Sequence, residues 1–137
     1  MSYAMILRTN YSQSELYSKM YYWEHHKEAF VAHMRGEYCQ TVDGFFQEVS
    51  SSMRFPYYFG WNWNAFDECM VDLEWLSFSS LLLVMDEYDL LFSKEENSEM
   101  CKSIFNNHIK LIKDYWHKQQ IPIMILENGV KLQNSFV

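Results

Sequence analysis

Residues Leu81 to Met85 read Leu-Leu-Leu-Val-Met, an unbroken apolar run. A strand with one wet face would alternate apolar and polar side chains, so a continuous run of this length points to a strand buried within a parallel sheet. The segment Phe30 to Met34, closed by the turn signal Arg35-Gly36, reads as an earlier strand, and Pro122 to Leu126 as a later buried one.

Helical patterns separate these strands. Thr41 is placed to cap a helix starting near Val42, with Asp43 favourably set against the N-terminal dipole and Phe45, Phe46 and Val49 on its buried face. Phe55-Pro56 ends it, because the residue before a proline is pushed out of the α region. Asn62 caps a second helix, Trp63 to about Leu73, on which Trp63, Phe66, Met70 and Leu73 form one apolar stripe. Asn64, Asp67, Glu68 and Asp72 then share the opposite, solvent-facing side. A third helix is expected from about Ser98 to Lys118, with Ile104, Ile109, Leu111, Ile112 and Tyr115 as core candidates. Crossover helices between consecutive strands imply parallel pairing. The expected fold class is therefore α/β, a small three-stranded parallel sheet (about 30–34, 81–85 and 122–126) flanked by helices.

Ahead of this unit, residues 1–27 read as an N-terminal extension. Ser12 and Glu15 have capping-box spacing, and Leu16, Met20 and Trp23 follow at helical intervals, which predicts a helix from about Gln13 to Lys27. The expected organisation is an extension over 1–27, a main domain over 28–127 and a tail over 128–137.

Several chemistries are disfavoured. Eleven Lys and Arg against eighteen Asp and Glu leave a formal charge of −7, which repels phosphate backbones and argues against direct nucleic-acid binding. No apolar run is long enough to span a bilayer and no secretory leader is evident, so a cytoplasmic protein is expected. Cys39, Cys69 and Cys101 lack metal or redox spacing and read as reduced thiols, Cys69 in the core. His25 and His26 point about 100° apart on a helix, and His33, His108 and His117 have no partner at ligand spacing, so no metal site is expected. The acid pairs Asp67-Glu68 and Glu95-Glu96 come without a nucleophile, a Gly-rich phosphate loop or a metal cluster, so neither catalysis nor a cofactor is expected. Asp86, Glu87 and Asp89, beyond the Leu81–Met85 strand, are candidates for no more than weak cation binding.

The run Tyr57-Tyr58-Phe59-Gly60, then Asn62, Asn64-Ala65, Glu68-Cys69 and Asp72-Leu73, resembles the signature of the barstar family, and the element order over about residues 28–127 is similar as well. Known members inhibit small secreted ribonucleases, and many relatives act as immunity proteins beside toxins. The resemblance thus implies a non-catalytic protein that offers carboxylates on a rigid helix to the basic groups of a nuclease. Acids at i and i+4 suit that task because they project about 6 Å apart on one face.

Carried over residue by residue, Tyr58 matches the family's contact tyrosine and Glu68 its key acid, one methylene longer. Asn64 stands where many members have aspartate, and Asp67 where an aromatic contact is common. Trp61 and Asp72 join them as partner-binding candidates, and Asp114 on the long helix falls near another family acid. Asparagine at position 64 gives an arginine no charge-assisted pair, so poor inhibition of barnase itself is expected. The expected partner is a cognate basic nuclease toxin. Immunity to a toxin of another activity, or a regulatory or scaffold role on the same fold, are the alternatives. The oligomeric state and the purpose of residues 1–27 are open at this level.

Overall fold

The computed structural model describes residues 3–129. The elements run β1 (Ala4–Thr9), α1 (Gln13–His26), β2 (Ala29–Arg35), α2 (Val42–Ser52), α3 (Trp63–Asp72), β3 (Ser80–Asp86), α4 (Ser98–Lys118) and β4 (Ile123–Asn128), with short 3₁₀ turns at Gly36–Tyr38 and Tyr88–Leu90. The strands form one sheet in the order β1-β4-β3-β2, every neighbouring pair parallel.

The sheet has four strands, not the three expected from the sequence. The fourth is β1, which runs beside β4 from Ala4 opposite Ile123 to Thr9 opposite Asn128. It is an edge strand whose Met5 and Leu7 remain exposed, so its pattern is neither a clean alternation nor a buried run. Of the tail expected over 128–137, residues 130–137 lie outside the described residues, and Asn128 is the last residue of β4.

β3 is buried along its whole length, as its composition demands. Leu81, Leu83 and Met85 enter the main core with Phe45, Phe66, Phe92 and Phe105, beneath α2, α3 and α4. Leu82 and Val84 point the other way and meet Leu16 of α1 and Leu126 of β4. The N-terminal helix therefore covers the second face of the sheet. Its start is fixed by the Ser12–Glu15 capping box, in which the Glu15 carboxylate accepts from Ser12 N–H at 2.9 Å and Ser12 Oγ from Glu15 N–H at 3.2 Å.

Asn128 ties this unit to the sheet. Its Oδ1 accepts from Thr9 Oγ1 at 2.8 Å and from Tyr11 N–H at 2.7 Å, while its Nδ2 donates to the Tyr11 carbonyl and to Asp86, both at 3.2 Å. Buried as it is, Asn128 has its full hydrogen-bonding capacity used. Nearby, Gly36 leaves β2 so close to β3 that a Cβ there would collide with the Glu87 carbonyl oxygen.

The buried stripe of α4 is Cys101, Phe105, Ile109, Ile112 and Trp116. Ile109 and Ile112 are as expected and Ile104 is half-buried, but Leu111 and Tyr115 are exposed. Cys101, Phe105 and Trp116 take the inward positions instead, so the face lies part of a turn away from the one that includes Leu111 and Tyr115. No helix among the described residues is long and apolar enough to cross a membrane.

Candidate protein-binding site

The short helix α3 and the loop before it are held by a set of defined contacts. Phe59 is buried against Phe46, Phe55 and Trp61, which pins the middle of the loop. Asn62 then fixes the loop to the helix: its Oδ1 accepts from Ala65 N–H at 2.8 Å and its Nδ2 donates to the Gly60 carbonyl at 3.0 Å. The far end of α3 closes at Leu73, a buried residue in the left-handed region (φ 51°). Trp116 on α4 donates its indole N–H to the Met70 carbonyl at 2.8 Å, holding α3 against α4.

On this frame Tyr57, Tyr58 and Trp61 are exposed, Tyr58 by 61% and Trp61 by 54%. Tyr58, Phe59, Ala65, Glu68, Cys69 and Asp72 line one cleft, so the tyrosine and two of the expected acids do converge. Glu68 and Asp72 are both exposed and stand one helical turn apart. Partial burial and then the charge of Asp72 push the Tyr58 phenol above its ordinary value, so it stays a neutral O–H donor at physiological pH. The same causes, burial first and then Asp72 and Glu68, raise the Cys69 thiol at the cleft floor. That shift favours its protonated, less reactive form. All three cysteines are free and buried, with burial pushing Cys39 up to about 12.

Trp61 does not line this cleft; it lines a second recess with Asp43, Phe46 and Gln47. Asn64 is exposed on the first turn of α3.

Two sequence candidates are placed differently. Asp67, expected on the solvent-facing side, is half-buried and accepts from His108 of α4, with its two carboxylate oxygens 2.7 and 2.8 Å from Nδ1. Its partner is on another helix, which no local pattern reveals. Asp114 is exposed, but its carboxylate pairs with Lys113 at 3.0 Å. That hydrogen bond, with the charges of Lys110 and Lys118, holds its carboxyl below the ordinary value. Among the described residues no hydrogen bond links it to α3, and the flanking lysines are a sequence signal that marks it as locally neutralised.

The acids after β3 do not converge on a cation. Asp86 accepts from Gln13 and Asn128, and Glu87 accepts from Glu37 N–H at 3.1 Å. Among the described residues no group of three or more His, Cys, Asp or Glu side chains is arranged to hold a metal ion.

The fold and this face define a class, small parallel α/β proteins that present one short acidic helix and its aromatic entry loop to solvent. The profile of the family described as Barstar (barnase inhibitor) matches residues 29–127. The chain belongs to the barstar family. The matched span begins at the first residue of β2 and ends within β4, leaving β1 and α1 outside it. No individual curated protein matches the chain at a significant level.

Proposed function

We propose that this chain is an inhibitor of a basic ribonuclease toxin, an immunity protein that acts by covering the enzyme's phosphate-binding groups. The observation that carries this reading is the cleft in which Tyr58, Glu68 and Asp72 converge on a helix already rigid before any partner arrives. A pre-ordered face avoids the entropy cost of assembling acids and aromatics on contact. Two exposed carboxylates supply what an RNA phosphate would supply to a ribonuclease, and exposed tyrosine and tryptophan supply hot-spot area. The net charge of −7 favours a cationic enzyme and speeds encounter with it.

In this assignment residues 28–127 carry the inhibitory surface and Tyr58, Trp61, Asn64, Glu68 and Asp72 are its contacts. Asp67 acts within the protein rather than across the interface, and Asp114 contributes little. The chain performs no catalysis.

Two departures from the family pattern favour a target other than barnase itself. Asn64 offers no charge, and Asp67 is engaged by His108. A cognate ribonuclease with its basic groups placed over Glu68 and Asp72 fits the face better.

The test is titration of the full chain against a panel of small microbial ribonucleases, a barnase-type enzyme included, at about 50 and 300 mM salt. Expected is stoichiometric loss of RNA cleavage with at least one enzyme, and an association rate that falls steeply as salt rises. Binding to none of them would remove the ribonuclease assignment and turn the search to toxins of other activity encoded beside this chain.

A further inference from the structure

Asp43, Phe46, Gln47 and Trp61 line a shallow recess that is open to solvent. Phe46 is buried and forms the floor, packed against Trp63 and Phe59. Asp43 and Gln47 are exposed at i and i+4 of α2, so one stands above the other along the same face. Trp61 forms the wall. Its backbone sits in the left-handed region (φ 56°), which bulky side chains rarely adopt, and its ring rests against Phe59 at 5.0 Å between centroids. Among the described residues no lysine, arginine or histidine lines the recess, so an indole and a carboxylate stand together there.

We propose that this recess is a second binding subsite, one that receives an arginine side chain of the basic partner. The guanidinium stacks on Trp61, donates to the Asp43 carboxylate, and gives a further N–H to the Gln47 amide oxygen. This rests on the nuclease-binding reading above. Arginine fits because its planar group stacks through its face while its five N–H donors remain free at the edge, whereas the compact, strongly hydrated ammonium of lysine does one or the other. Interfaces built against nucleic-acid enzymes meet arginine often, since those enzymes use it to hold phosphate. The footprint then spans two clefts, with Glu68 and Asp72 in one and Asp43 in the other.

NMR of the full chain, titrated with N-acetyl-arginine amide, reads the recess without any partner. Expected are saturable shifts of the Trp61 indole N–H and the Gln47 side-chain amide. They should be weaker with N-acetyl-lysine amide, absent at Gln47 in Trp61→Ala, and weakened about fivefold in affinity by Asp43→Asn. Absence of saturable shifts at these two groups, or an equal response to the lysine compound, overturns the proposal. A ribonuclease found in the panel separates this inference from the reading beneath it. If Glu68→Ala weakens that complex while Asp43→Asn and Trp61→Ala leave it unchanged, the recess is idle and the nuclease reading stands. If none of the three changes matters, the nuclease face itself is misassigned.

Discussion

Asp67 holds His108 with both carboxylate oxygens, 2.7 and 2.8 Å from Nδ1, and the His108 ring in turn lies flat on Trp63, the two planes 10° apart. This half-buried contact bridges the middle of α3 to α4. Asp67→Ala is therefore expected to lower folding stability by about 1–2 kcal/mol, read from urea unfolding. Its effect on partner affinity should be smaller than that of Glu68→Ala. An Asp67→Asn protein with native stability and a binding loss as large as that of Glu68→Ala would show that the acid works across the interface instead.

Glu68 is exposed, and Tyr58 shares its cleft. Glu68→Ala should weaken the complex by more than about 2 kcal/mol, the size of a hot-spot loss, measured by calorimetry or dissociation rate. Binding at full strength by the double variant Tyr58→Ala, Glu68→Ala would place the interface elsewhere on the molecule.

Asn64 is exposed on the first turn of α3, so its exchange for aspartate disturbs no packing. Asn64→Asp is expected to improve affinity for a barnase-type ribonuclease about tenfold, the step from a neutral to a charge-assisted hydrogen bond. Inhibition constants at one fixed salt concentration measure it. No gain would mean that this enzyme places no cation over position 64.

Leu16 is fully buried between α1 and the sheet. Leu16→Ala should cost about 2–5 kcal/mol, seen as a lowered Tm, because the cavity it leaves cannot collapse onto a rigid sheet. A loss well under 1 kcal/mol would show that α1 is only loosely seated.

Asp86 contributes a pH dependence of stability. Burial pulls its carboxyl upward, but hydrogen bonds from Gln13, Asn128, the Glu87 backbone and, least of all, His33 outweigh burial and hold it below its ordinary value of 3.8. The folded state therefore binds fewer protons than the unfolded chain as this group titrates. Its stabilisation is complete above the ordinary value and is lost as pH falls through the lower, folded one. Urea unfolding between about pH 6 and pH 3 should fall more steeply for the native chain than for Asp86→Asn. Parallel curves would exclude Asp86 as the source.

Much of this architecture is legible where the cause is local. Leu81–Met85 needs two covers and has them, and the caps at Ser12, Thr41 and Asn62 each act within three residues. What escapes the sequence depends on distant partners. β1 is half-exposed, and the strand that stabilises it lies at the other end of the chain, so neither its length nor its pattern announces it. The inward face of α4 is set by Phe105 and Trp116, which pack more area than the aliphatic residues beside them. In the proposed binding face, Tyr58, Trp61, Glu68 and Asp72 are exposed as their positions suggest, whereas Asp67 is engaged by a histidine 41 residues away.

The pairing of β1 with β4 also sets a timetable. Thr9 meets Asn128 across 119 residues, so β1 is synthesised well before the strand it pairs with. At about 5–20 residues per second that interval is roughly 6–24 s, during which β2 and β3 can already join while Met5 and Leu7 have no neighbour strand. Synthesis halted before residue 123 would leave β1 and β3 as open edges at once, each free to pair with the wrong chain.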